Sequence, residues 1–191
     1  MLSKIKNFMW IATIIYFTLG FFNIFFAWLG LICFLTPLLI SIIKGEKIYC
    51  NTYCGRGQLL GLMGERFNLS RKKMPPKWLS NRLFRYAFLI FFMSMFALMI
   101  FSTYKVFKGA ELKEVITILW TFKFPWRLTD VSNVSPWIAQ FSFGFYSIML
   151  TSTVLGFITM VLYRPRSWCV YCPMGTMTQG ICELKNRKEN F

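Results

Sequence analysis

An all-α membrane protein with four transmembrane helices is the fold class this chain predicts. Three observations carry it. Long apolar runs recur along 191 residues that are 56% hydrophobic and 19% aromatic. Basic residues concentrate in the segments between alternate runs. Two short cysteine loops, IYCNTYCGRG and RSWCVYCPMG, each follow an apolar run and a basic stretch. A soluble domain of this length would carry more than the 15% charged residues seen here.

The runs fall in order. Phe8 to Ile43 contains no charge over 36 residues. A bilayer core of roughly 30 Å needs about 20 apolar residues per helix, and one straight helix of this length would run about 54 Å. Two spans, 8–26 and 28–43, with a tight turn near Trp28 and Gly30, fit better. The third span is 86–104 and the fourth 138–163. Together they make a single transmembrane domain, 1–191. The first run is too long for a signal peptide and no small-residue cleavage site follows it. Between spans three and four, LKEVITILWTFKFPWRL has apolar residues at mixed spacing and suits the membrane interface, with Trp120, Trp126 and Trp137 as headgroup-level anchors.

Orientation follows from Lys and Arg. Lys4 and Lys6 precede span one, ten basic residues lie in 44–85, and five lie in 164–191. The remaining five (Lys105, Lys108, Lys113, Lys123, Arg127) lie in 105–137. The cysteine loops 44–85 and 164–191 and both termini are therefore expected on the cytoplasmic side of a bacterial or archaeal inner membrane, with 105–137 external. Even if the first run crosses once, two spans separate the cysteine loops and keep them on one side. The net charge of +15 reads as this topology plus contact with anionic lipid, rather than nucleic-acid binding.

Composition removes several function classes. There is no histidine, which excludes bis-His haem, His-based acid–base catalysis and mixed Cys/His zinc. None of the seven acidic residues lies inside an apolar run, so paired-carboxylate catalysis is not expected. No Walker-type loop and no G-x-G-x-x-G occurs. Cysteine is left to carry site chemistry.

Cys50 and Cys54 form a C-x3-C; Cys169 and Cys172 form a C-x2-C-P. Tyr53-Cys54-Gly55-Arg56-Gly57 echoes Tyr171-Cys172-Pro173-Met174-Gly175 as Y-C-x-x-G, and each leads into a short amphipathic stretch. The chain thus reads as two pseudo-repeated units of helix pair and cysteine loop. Three chemistries suit the thiols. Four thiolates hold a 4Fe–4S cluster, and a proline after a ligand cysteine recurs in ferredoxin motifs. Gly55, Gly57 and Gly175 allow backbone amides near the sulfurs, and Arg56, Arg164 and Arg166 could balance the anionic charge. Thiol–disulfide exchange with quinone suits C-x2-C, but C-x3-C less so, and the expected side is reducing. Structural zinc on four cysteines is the third. The expected ligand set is Cys50, Cys54, Cys169 and Cys172. Cys182 could replace one of them, join a second centre, or sit inert on its helix. Cys33, about ten residues from the end of span two, reads as a small buried hydrophobe.

WCVYCPMGT after a span and a basic RPRS resembles the cysteine motif of membrane-bound polyferredoxin proteins. These include NapH-type quinol dehydrogenase subunits of periplasmic nitrate reduction and NosR-type membrane proteins of nitrous oxide respiration. The resemblance implies that Cys50 and Cys54 are the first motif and Cys169 and Cys172 the second. It departs in Gly55, where the family usually has proline, and in the two-residue spacing of the second motif. The soluble ferredoxin segment and the covalent-flavin signature are absent; Thr151–Thr153 is no match for the latter and is expected to pack between helices. The expectation is a membrane core that carries one 4Fe–4S cluster at the cytoplasmic face. It would pass electrons between a cytoplasmic or quinone donor and a membrane or external acceptor, as an electron-transfer subunit rather than a stand-alone enzyme. Other redox subunits or a quinone or flavin carrier are its expected partners. A thiol–quinone oxidoreductase and a structural or assembly subunit with a non-redox four-cysteine metal site remain the alternatives.

Overall fold

Asn23 is the one carboxamide side chain in the uncharged run 8–43, and the backbone bends there. The computed structural model describes residues 8–46, 49–119, 121–126 and 134–189; Lys4, Lys6 and Trp120 lie outside them. Helix α1 (Met9–Phe22) ends at Asn23, whose Oδ1 accepts the Phe25 N–H at 3.1 Å. A 3-10 turn (Ile24–Trp28) then runs into α2 (Leu29–Lys44). The expected turn at Trp28–Gly30 is thus displaced to Asn23, because an Asx turn supplies the local hydrogen bond that glycine cannot. Gly30 serves close approach instead: a Cβ there would fall 2.6 Å from the Phe145 ring and 2.7 Å from the Tyr16 hydroxyl.

Among the described residues, three helices are long and apolar enough to cross a membrane: Ile24–Lys44, α4 (Arg82–Phe107) and α5 (Pro136–Leu162). Helix α1 has 14 residues, about 21 Å of rise. Both long helices start earlier than their hydropathy suggests. Asn81 Oδ1 faces the Leu83 N–H at 3.4 Å, and Pro136 opens α5 where its missing N–H costs nothing.

The chain divides into two compact units. One comprises Ile14–Leu31 and Phe91–Val154; the chain is mostly helical, as expected, and this unit adds two short strands. The segment expected at the interface folds as a hairpin of β1 (Val115–Ile118) and β2 (Phe122–Pro125), with Val115 opposite Pro125 and Ile118 opposite Phe122. Val-Ile-Thr-Ile is β-branched throughout, which suits a pleated strand. Helix α5 supplies what the strand lacks. Gln140 Oε1 accepts the Lys113 N–H at 3.1 Å, Ser147 Oγ the Thr117 N–H at 3.0 Å, and Thr151 Oγ1 the Leu119 N–H at 3.4 Å. These acceptors recur at i, i+7 and i+11, one face of a helix. Thr151 therefore accepts from the turn that follows β1. Ile24, Ala27, Ile116, Ala139, Phe143 and Tyr146 form the core of this unit. Trp126 meets Phe21 edge-on at 4.9 Å, and Trp137 is partly exposed beside Phe107.

The other unit comprises Met1–Thr13, Ile32–Ile90 and Leu155–Phe191. It contains every cysteine. A wide turn (Tyr49–Tyr53) leads to α3 (Gly55–Arg66), and a one-turn helix α6 (Trp168–Tyr171) leads to α7 (Pro173–Glu189). The two amphipathic stretches expected after the cysteine loops are thus helices. Lys185 Nζ donates to the Ile43 carbonyl at 2.7 Å, satisfying an orphan acceptor at the end of α2.

Candidate metal centre

Spacing sets each cysteine pair on one face of a turn. Cys50 and Cys54 bracket the wide turn, where a four-residue separation returns to the same side. Cys169 lies on α6 and Cys172, three residues on, caps it, with the Cys172 N–H donating to the Trp168 carbonyl at 3.0 Å. The second cysteine of each pair occupies the same position: the last residue before a helix. Cys54 precedes Gly55–Arg66, and its carbonyl accepts the Gln58 N–H at 3.0 Å. Cys172 precedes Pro173–Glu189, and its carbonyl accepts the Thr176 N–H at 2.9 Å. Pro173 takes the first helical position, where proline is best tolerated. Two helix N-termini, each with partial positive charge, therefore begin beside thiols, and the Gly57 amide bonds the Cys54 sulfur.

Glycine brings the two loops together. Gly57, Gly61 and Gly64 recur at i, i+4 and i+7 on α3. An added Cβ would meet Cys169 Sγ at 3.4 Å from Gly57, Arg166 Nε at 3.3 Å from Gly61, and Pro165 Cβ at 2.8 Å from Gly64. The segment 165–169 thus lies along a face of α3 that has no side chains. Aromatic packing fixes the far side. Trp168 and Tyr171 are 2% and 4% exposed, and Phe88 meets both rings edge-on at 5.7 and 5.0 Å. Removing either buried ring would cost about 3–5 kcal/mol.

The contacts between the loops are reciprocal. Cys50 Sγ lies 3.8 Å from the hydroxyl of Thr178 on α7. Cys169 Sγ lies against Gly57 on α3. Cys50, Thr52, Cys54, Gly57, Gln58, Arg166 and Cys169 line one cleft of about 200 Å³, part of it open to solvent. Cys172 acts electrostatically on both Cys54 and Cys169. Cys50, Cys54 and Cys169 thus share one cleft, with Cys172 near enough to act on two of them. Cys182 is buried on α7, and it takes no part in these sulfur contacts. Arg166 lines the cleft and Arg56 lowers the Cys54 thiol. Arg164 contributes its backbone N–H to Ser167 Oγ at 3.0 Å, and its guanidinium does not line the cleft.

Cys33 differs from its expectation. It is exposed, and its sulfur lies 3.8 Å from the Tyr49 hydroxyl. Tyr49, Thr178 and Gln58 are site neighbours that the sequence alone did not single out. Adjacency to Cys50 was the one available signal, and it applied only to Tyr49.

Desolvation dominates the electrostatics. It pushes the Cys54 thiol up to about 11, against the smaller lowering effects of the Gly57 amide and Arg56. Cys169 keeps an exposed edge, yet its sulfur is crowded. Desolvation and then the neighbouring Cys54 and Cys172 push it up to about 12, with Arg166 opposing. Burial and then Cys33 raise the Tyr49 hydroxyl. Cys54 and Cys169 therefore hold their protons at neutral pH, so a metal group binding them must displace those protons.

The donor set decides what fits. Among the described residues no three His, Cys, Asp or Glu side chains group closely enough to share one metal ion. A single zinc needs its sulfurs about 3.8 Å apart, given Zn–S bonds of about 2.3 Å at tetrahedral angles. A four-iron cluster places each thiolate on its own iron and spaces them more widely. Four thiols, two helix N-termini and an arginine suit such an anionic group. No disulfide links any of the six cysteines.

Comparison with known proteins gives the same chemistry. No curated protein and no solved structure matches the chain. The 4Fe-4S binding domain family matches residues 26–77 and 147–191, just over half of the sequence. Each matched segment starts in an apolar helix, runs through one cysteine pair and continues past the helix that follows it. With thiols, helix N-termini and matched segments coinciding, the chain belongs to the 4Fe-4S binding domain family.

Proposed function

We propose that this protein is a membrane electron-transfer subunit with one 4Fe–4S cluster at the cytoplasmic face, ligated by Cys50, Cys54, Cys169 and Cys172. The observation that carries the reading is the paired arrangement of Cys54 and Cys172, each immediately ahead of a helix, with Cys50 and Cys169 each touching the opposite loop. A bound cluster supplies one-electron redox chemistry there. The chain's own residues hold it and set its environment. The starts of α3 and α7 direct amides and dipole toward the sulfurs. Arg166 and Arg56 offset negative charge. Gly57 leaves room, and the Trp168–Tyr171–Phe88 group anchors the α6 loop.

Four spans remain part of this reading, with the 14-residue α1 joined to flanking residues to complete the first. Two family matches, one per half, support a duplicated helix-pair and cysteine-loop unit. The distribution of Lys and Arg supports cytoplasmic cysteine loops and termini. The layout supports kinship with NapH- and NosR-type membrane proteins. One centre cannot span roughly 30 Å of bilayer. A quinone, a flavin or a partner subunit then provides the next carrier.

Anaerobic purification in detergent tests this directly. Iron, sulfide and zinc are assayed per chain, and the dithionite-reduced sample is read by EPR. About four iron and four sulfide per chain, the content of one 4Fe–4S cluster, with a reduced-cluster signal, supports the proposal. Zinc without sulfide, or oxidised cysteine pairs without metal, overturns it in favour of a structural site or thiol exchange.

A further inference from the structure

A second cleft in the cysteine-bearing unit is independent of the thiols. It encloses about 360 Å³, open mouth included, between the first turns of α4 and the middle of α7. Arg82, Arg85 and Tyr86 line it from α4; Thr176, Gln179 and Glu183 line it from α7. Arg85 Nη2 donates to Gln179 Oε1 at 2.5 Å, and Gln179 Nε2 donates to Glu183 Oε1 at 2.8 Å. Arg85 Nε is buried and has no partner among the described residues. A buried guanidinium N–H left unpaired is costly, more so because the group is charged. Two guanidiniums against one carboxylate leave the cleft positive. It also opens on the N-terminus of a 26-residue helix, where anions are favoured.

We propose that this cleft binds the phosphate of an anionic membrane phospholipid. Guanidinium forks match phosphate oxygens in pairs, and Arg85 Nε supplies a donor that lacks an acceptor. The surroundings favour a lipid over a free ion. Helix α4 is apolar enough to span a bilayer, and beside the cleft it exposes Leu83 (77%) and Ile90 (65%), a surface for acyl chains. The consequence reaches the cysteines. Thr176 also donates from Oγ1 to the Cys172 carbonyl at 3.1 Å, so a headgroup held at Thr176 braces the helix start that follows Cys172. This inference rests on the membrane reading of α4 but not on the cluster.

The test is native mass spectrometry of the detergent-purified full chain. Dioleoyl-phosphatidylglycerol, dioleoyl-phosphatidylcholine and inorganic phosphate are titrated separately. Wild type is expected to retain phosphatidylglycerol about tenfold better than phosphatidylcholine, the scale of one charge-assisted contact. Arg85→Gln and Arg82→Gln should each abolish the preference; Lys108→Gln, just past the far end of α4, should keep it. Arg82 is exposed, so its variant does not depend on repacking. Equal retention by wild type and both arginine variants overturns the site. Arginine-dependent binding of inorganic phosphate without any phosphatidylglycerol preference overturns the lipid and assigns the free ion. Failure of the membrane reading shows separately: the chain would stay soluble without detergent and not float with phosphatidylglycerol/phosphatidylcholine vesicles.

Discussion

Replacing Gly57 with alanine separates holding a cluster from holding the fold. The added methyl carbon would lie 3.4 Å from Cys169 Sγ, 3.7 Å from Cys54 Sγ and 3.8 Å from Cys54 Cβ. Those are ordinary contact distances, so the metal-free protein accommodates it. Alanine also favours a helix interior over glycine by about 1 kcal/mol. The metal-free variant should therefore match or slightly exceed wild-type stability. A cluster changes the balance, because the methyl stands between two sulfurs that must turn toward a common centre. Overpacking of this kind costs about 1–3 kcal/mol, or about five- to 150-fold in affinity for the group. The assay is iron and sulfide per chain after anaerobic purification, beside thermal unfolding of the metal-free form followed by circular dichroism. Gly64→Ala is the contrast. Its methyl would fall 2.8 Å from Pro165 Cβ and 3.0 Å from Pro165 Cα, so it should lower stability with or without metal. Full wild-type iron and an unchanged EPR signal in Gly57→Ala would refute the argument that a cluster occupies the space beside Gly57.

Serine replacement of Cys50, Cys54, Cys169 or Cys172 should each reduce cluster iron strongly, whereas Cys33→Ser and Cys182→Ser should leave it near wild type; iron analysis distinguishes the two groups. Arg166→Ala removes a positive charge at an anionic centre and should lower its reduction potential. The group is exposed and screened, so the effect is on the order of 1 kcal/mol, or about 40 mV for one electron, read by redox titration. Thiols raised in the fold above their ordinary 9.0 bind protons more tightly folded than unfolded. The stability they contribute is therefore complete below about pH 9 and is lost as pH rises through about 11 to 12. The metal-free protein should lose unfolding temperature across that window, and Cys54→Ser should flatten the loss. Ser147→Ala strands the Thr117 N–H, since Ser147 is 2% exposed and accepts that bond at 3.0 Å. It should cost about 1–3 kcal/mol and raise hydrogen exchange in the hairpin.

Much of the site was legible because its signals are local. C-x3-C and C-x2-C-P name their residue type and place it on a turn, and Y-C-x-x-G marks the helix start behind each pair. The same locality explains the misses. Thr178 meets Cys50 across 128 residues, and no spacing rule reaches that far. Tyr49 beside Cys33 follows from the chain folding back after α2. Arg85 looked like one more basic residue in a cytoplasmic loop until α7 set Gln179 against it.

By itself, the sequence determined which segments are apolar helices and which cysteines pair along the chain. Both follow from composition and short-range periodicity. It misplaced the first bend, because hydropathy does not register that one Asn can satisfy its own backbone. It missed the hairpin at 115–125, because amides in and beside its first strand are paired by Gln140, Ser147 and Thr151 on a helix formed later in the chain. The meeting of the two thiol pairs was decided only in three dimensions. It depends on a glycine face on α3 lying along residues 165–169, a close approach between segments about a hundred residues apart that no local pattern encodes.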